Sequence, residues 1–461
     1  MLTAEPSAKV ETEFKQLACD VVARTMAGGA SAAEAVVHDG TEFSTVVRMG
    51  EVESLKEAGG HAMGVRVFFG KRAASTHTSD FSAEGLRQLV EGALALAQLT
   101  SEDPQAGLPE PELLARNGAA NNLQLYFADV HSLPSEERIS RARRAEAAAL
   151  AADARIRNSE GGSFDATQSR KVMANSLGFV GEYRSSYCSL AAVPVAQMEN
   201  CPMQRDYWFS AARSLHRLES PEHVGRMAAE RAVRRLGARK VKTARVPIIF
   251  DPLVARSLLE TIAQAVNGDA IYRDASFLAG KLGLRVAGEN VTITDDGTLP
   301  GGFGTSPFDD EGVPTQRTVV IERGILKSYL LNSYTARKLG LKTTGNAARG
   351  LAGNPGISSG NFFLQPGTRP ARKLIAEVQQ GLYVTEFLGF GVNLVTGDYS
   401  RGASGLWIEN GEPAYPVEEI TVAGNLREML HNVSEIASDL EFRSSTASPT
   451  LRIDGMMVAG Q

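Results

Sequence analysis

With 461 residues, 48 Lys and Arg against 53 Asp and Glu, and an apolar fraction of 43%, the chain has a formal charge of −5 and material for two or three packed domains. A mini-domain and a disordered chain are excluded, and a pI near 5.9 argues against a nucleic-acid partner, because counterion release needs clustered Lys and Arg. Three widely spaced cysteines, Cys19, Cys188 and Cys201, suit a reducing compartment, no window approaches the roughly 18 apolar residues of a spanning helix, and no apolar run follows the start; a soluble cytoplasmic protein without membrane contact is expected.

In chain order, Phe14, Leu17, Ala18, Val21 and Val22 predict a helix over 13–27. Short alternating runs from Ala35 to Thr78, punctuated by Asp39-Gly40, Met49-Gly50 and Gly59-Gly60, predict a meander of antiparallel strands. The next helix, capped by Ser79, Asp80 or Ser82, carries one apolar stripe through Leu86, Leu89, Val90, Ala93, Leu94 and Ala97. A long connection, Glu102 to Asn122, precedes an Ala-rich helix from Pro134 to about Asp153. Residues 155–196 read as strands split by Gly161-Gly162, Gly178 and Gly181, and 222–237 as a basic helix whose arginines form a solvated face.

The basic segment Gly237 to Arg245 marks the expected boundary between domains 1–240 and 241–461. Beyond it the composition changes, and residues 301–410 hold 18 of the 45 glycines. Short apolar runs (318–321, 382–387, 406–408, 419–422, 451–453) predict strands, with helices near 252–266, 369–380 and 425–437. The expected class is α+β, two domains each mixing largely antiparallel sheet with helices, the C-terminal one strand- and Gly-rich.

Residue chemistry names no catalytic set. No two of the seven histidines stand at the i, i+4 spacing of a zinc helix, and Pro221 breaks the path between the nearest pair, His216 and His223. The acidic run Asp309-Asp310-Glu311, behind Asp295-Asp296, lacks the calcium-loop spacing and reads as a turn and strand entry. Neither Gly301-Gly-Phe-Gly304 nor Thr344 to Gly350 has the order of a phosphate loop, and no base neighbours a cysteine.

A chain of motifs goes further. Gly268-Asp-Ala-Ile-Tyr-Arg273, Ser276-Phe-Leu-Ala-Gly280, Asp295-Asp-Gly-Thr-Leu-Pro-Gly-Gly302, Phe308-Asp-Asp-Glu-Gly-Val-Pro-Thr315 and Leu326-Lys-Ser-Tyr-Leu330 are followed by Thr344-Gly-Asn-Ala347, Gly391-Val-Asn393, Thr396-Gly-Asp-Tyr-Ser400, Trp407-Ile-Glu-Asn-Gly411 and Thr421-Val-Ala-Gly-Asn-Leu426. In this order they resemble the TldD/PmbA family, specifically its PmbA (TldE)-like branch, over roughly residues 245–440. The N-terminal half matches in general layout, notably at Gly64-Val-Arg-Val67.

The resemblance implies a two-subunit cytoplasmic zinc metalloprotease in which the TldD-type chain carries a His-Glu-x-x-x-His helix and the PmbA-type chain does not. It puts the two ligand positions at Leu259 and Gln264 and the glutamate at Glu260; the family's third ligand, a late cysteine, has no counterpart after Cys201. Leu has no lone pair and a Gln carbonyl is a poor zinc ligand, so no metal and no catalytic residue is expected in this chain, and zinc only in a TldD-like partner. The implied function is that of a non-catalytic subunit acting with its partner on unfolded or modified peptides, its loop residues Asn393, Thr396, Asp398, Ser400 and Arg401 facing the cavity or the partner. The other readings are a homodimeric peptide-binding pseudoenzyme and a self-sufficient hydrolase with an unrecognised site.

Overall fold

The structure is a computed structural model that describes residues 8–116 and 122–460, with side chains from residue 13 onward. Most of the polar start and part of the Glu102 to Asn122 connection lie outside the described residues.

The expected meander forms. Ala32–Arg48, Glu51–Phe69 and Arg72–Thr78 pair antiparallel, and Ala32–Arg48 takes Ile156–Asn175 on its other side, followed by Val180–Ala196. Gln204–Arg205 and Trp208–Ala212 both pair with Val180–Ala196, completing a seven-stranded sheet. Gly161-Gly162 does not split its strand: a φ of +122° at Gly161 and a register shift between Ser159 and Gly161 make a bulge that Ile156–Asn175 runs through.

These long strands carry two cores along their length. Helices Ala8–Ala27 and Ala83–Leu99 pack Val21, Leu86 and Leu89 against Val37, Met63 and Val65. Of the candidate caps Ser82 is used, its hydroxyl accepting from the Gly85 amide at 3.1 Å. Further along, helices Ser135–Ala152 and Pro221–Val233 set Ala142, Ala145, Val224 and Ala228 against Phe43, Phe164 and Leu190.

In the C-terminal half, Glu412–Asn425, Asp398–Glu409, Gln380–Leu388, Ala244–Phe250 and Leu451–Ala459 pair in that order, and the last pairs back with the first. The five strands therefore close into a barrel, which leaves no free edge among them. Ile293–Asp296, Arg317–Glu322 and Asn361–Leu364 belong to a second sheet, and helix Pro252–Ala265 lies between it and the barrel. Two expected helices are shorter than their periodicity, Ala371–Ala376 and Leu426–His431. Gln380 already opens a strand, and Val433–Ile436 pairs with Leu451–Ala459, because barrel pairing outweighs local propensity there. The architecture is mixed α+β with largely antiparallel sheets, as expected.

Candidate functional site

Helix Pro252–Ala265 is built by its own sequence. Asp251 caps it by accepting from the Leu253 amide at 3.0 Å, Pro252 occupies the first turn, and Val254, Ala255, Leu258, Leu259 and Ile262 form the buried stripe. Leu259 is 3% exposed inside the main core, Glu260 is partly exposed and pairs with Arg256 at 3.3 Å, and Gln264 faces solvent. The helix is regular throughout, so positions five apart diverge by about 140° and Leu259 and Gln264 cannot meet one ion.

The remaining metal-ligand chemistry fits no better. Among the described residues no group of three or more His, Cys, Asp and Glu side chains could hold a metal ion. The cysteine thiols are free, and burial pushes that of Cys188 up to about 12 while its sulfur donates to the Ala212 carbonyl at 3.4 Å, which suits a packing thiol. The residues of this chain do not fit the zinc that the resemblance assigns to the TldD-type chain.

The loop residues form a compact turn. Asn393 Oδ1 accepts from the amides of Val395 and Thr396 at 2.9 and 3.2 Å, the Thr396 hydroxyl donates to Asp398 at 2.6 Å, and Asn425 Nδ2 donates to the other Asp398 oxygen at 3.1 Å. These bonds hold the Asp398 carboxyl below its usual range. Gly391 permits the crossing, because a Cβ there would stand 1.7 Å from the Ser400 carbonyl. Ser400 is exposed, whereas Arg401 turns back, donating to Ser257 Oγ at 3.1 Å and stacking on Phe387 at 4.5 Å. The structure thus joins Arg401 to the degenerate helix and ties Asn393, Thr396 and Asp398 to one another. The same loop exposes three large apolar side chains, Leu388, Phe390 and Val395.

The acidic run is also structural. Asp309 accepts from the amides of Glu311, Val313 and Ala347, Asp310 pairs with Lys171, and Glu311 accepts from the Ser333 amide at 2.8 Å. All are buried or partly buried at the seam between the two halves. Burial raises the Asp309 carboxyl well above its ordinary value, helped by Glu311, and burial also raises Glu311. Glu311 lines a cavity of about 350 Å³ with Arg66, Tyr272 and Tyr334.

Two groups escaped the sequence reading. Glu34, fully buried, pairs with Arg66 at 2.8 Å and Arg349 at 3.1 Å. The arginines at the end of the basic helix are not a solvated face: Arg231 is 5% exposed and pairs with Asp206 at 3.3 Å and Asp251 at 3.5 Å, and Arg235 pairs with Glu386 at 2.6 Å. Arg231 and Arg235 stand at i and i+4, the spacing that could have found them, although Arg235 already lies in the turn beyond Val233.

Three family models match the chain: PmbA/TldA metallopeptidase domain 1 over residues 33–97, the central domain over 128–236 and the C-terminal domain over 243–460. The similarity therefore extends through the N-terminal half, where the sequence matched only in general layout, notably at Gly64-Val-Arg-Val67. Metalloprotease PmbA of Escherichia coli O157:H7 is 39% identical over 98% of both chains. A crystal structure from Bacteroides thetaiotaomicron superimposes with a TM-score of 0.90 at 28% identity, covering 97% of this chain and 99% of that one. TldE from Thermococcus kodakarensis has the same fold, with a TM-score of 0.86 at 22% identity over 96% of this chain and all of its own. The chain belongs to the PmbA/TldA metallopeptidase family.

Proposed function

We propose that this chain is the non-catalytic, TldE-like subunit of a two-subunit cytoplasmic peptidase, and that a TldD-like partner supplies the zinc and the hydrolytic chemistry for unfolded or modified peptides. The observation that carries the reading is the packing of Leu259 in the core of a regular helix, with Gln264 on the far side. Its role would be to wall the cleavage chamber and align the peptide. The exposed Leu388, Phe390 and Val395 support a partner contact at the 388–395 loop, since large apolar groups clustered on one loop favour burial. Within that arrangement Asn393, Thr396, Asp398 and Ser400 face the cavity or the partner, while Arg401 braces their loop on Ser257 and Phe387.

Co-expression with a zinc-bearing homologue tests this. The pair is expected to co-purify and to cleave denatured casein while neither chain alone does, and Phe390→Ser is expected to weaken the pair. A stable homodimer that binds peptide without cleavage would favour a peptide-binding pseudoenzyme instead. A third reading, a self-sufficient hydrolase, draws on the raised Glu311 carboxyl beside its cavity. Chelator-resistant cleavage by the isolated chain, lost in Glu311→Gln, would establish it in place of the subunit reading.

A further inference from the structure

A second cavity, of about 320 Å³, opens where the basic helix, the start of helix Pro252–Ala265 and the 439–448 segment meet. Four guanidinium groups line it. Three have acid partners: Arg231 with Asp206 and Asp251, Arg256 with Glu260, and Arg443 with Glu219 at 2.8 Å and Glu441 at 2.9 Å. The guanidinium of the fourth, Arg234, makes no ion pair or hydrogen bond among the described residues; its Nε and Nη2 are sealed from solvent without an acceptor, so Nη1 is the nitrogen left for a ligand. Burial and the neighbouring Arg231 both disfavour its charge. Glu230, one turn earlier, and Asp439, which accepts from the amide and hydroxyl of Thr450, line the same cavity, and neither brings a carboxylate oxygen within ion-pair distance of Arg234.

A largely buried guanidinium charge without a counter-ion is costly, and an anion held at Nη1 offsets that charge. With the carboxylates of Glu230 and Asp439 also on the wall, Arg234 can offset one negative charge, so a monoanion suits the site better than a phosphate dianion. The walls favour an organic one: Trp208, Met227 and Leu253 are partly exposed apolar surface, and the volume suits one or two amino-acid residues.

We propose that this cavity binds a carboxylate on Arg234, the free C-terminal carboxylate of a peptide whose last, apolar side chain rests on Trp208, Met227 and Leu253. That the carboxylate belongs to a peptide rests on the proposed function; the monoanion site itself does not.

Trp208 provides a reporter in the isolated chain, because Arg443 lies 4.2 Å and Arg231 5.6 Å from its ring, while Trp407, the other tryptophan, is buried in the barrel. N-acetylleucine is expected to change the fluorescence saturably, N-acetylleucine amide not to, and inorganic phosphate to bind more weakly. Arg234→Met should weaken N-acetylleucine about tenfold or more, the loss of one charge-assisted bond, and Glu230→Gln should tighten it by removing a like charge. Thermal melting confirms that each variant is folded, and Arg234→Lys, which keeps the charge but not the position of Nη1, is expected to fall between wild type and Met. Equal binding of acid and amide, tighter Arg234-dependent binding of phosphate, or binding indifferent to both Arg234 and Glu230 would overturn the proposal. Because no partner or cleavage enters the measurement, a failed reconstitution of the peptidase leaves a positive result standing.

Discussion

At the scale of single residues, the buried carboxyls decide how the protein answers to pH. Asp295 is 1% exposed, accepts from Asn346 Nδ2 at 2.8 Å, and leaves its other oxygen without a partner, so burial pushes its carboxyl up to about 6. The folded protein therefore binds this proton more tightly than the unfolded chain, and the contribution is fully present below about pH 4 and lost as the pH rises through 6. Asp295→Asn keeps an acceptor for Asn346 and removes the charge. It is expected to gain about 3 kcal/mol over wild type at pH 8 and far less at pH 4, read from chemical denaturation at the two values. An equal gain at both would mean that packing, not charge, sets the cost. His38 works in the opposite sense: burial and then Lys171 lower it to about 4, so its contribution is present above about 6.5 and lost toward 4.

At the scale of elements, helix Pro252–Ala265 shows how far a sequence can be read. Its apolar period, its Asp251 cap and its terminal proline are local, and all were legible. The long strand Ile156–Asn175 was not, since two adjacent glycines look like a turn until partner strands on both sides show them to be a bulge. The loop around Asn393 was legible as polar and Gly-rich, yet its bonds to Asn425 join groups 27 and 29 residues apart, which no local pattern reports. The same helix yields a prediction. Leu259→His with Gln264→His places one imidazole in the core and the other in solvent, so zinc titration is expected to show no tight stoichiometric site. Leu259→His alone should cost about 2–5 kcal/mol, because a polar ring replaces a fully packed side chain. Tight zinc in the double variant would require a helix bent out of its regular turn.

At the scale of the whole molecule, the two halves are joined through charge buried where water cannot screen it. Glu34 and Arg66 face each other across neighbouring strands of the N-terminal sheet, and Arg349 reaches Glu34 from the C-terminal half with a side chain only 2% exposed. Gly64, beside them, lets the 350s loop approach, since a Cβ there would stand 1.7 Å from the Leu351 carbonyl. More polar links span the seam, among them Tyr334 to Asp103 at 2.8 Å, Gln204 to Glu418 at 2.7 Å and Arg213 to the Gly302 carbonyl at 2.7 Å. Such links contribute little over apolar packing while intact, but breaking one leaves an uncompensated charge. Glu34→Gln strands two guanidinium groups at once and is expected to cost about 3–5 kcal/mol, whereas Glu84→Gln, which removes a surface pair on helix Ala83–Leu99, should cost under about 1 kcal/mol. Because the seam couples both halves, the Glu34→Gln loss should appear as one shifted denaturation transition in both halves, followed by Trp208 in the sheet and Trp407 in the barrel. A transition that moves for Trp208 and stays for Trp407 would mean that the halves unfold independently and that the buried pair stabilises the N-terminal sheet alone.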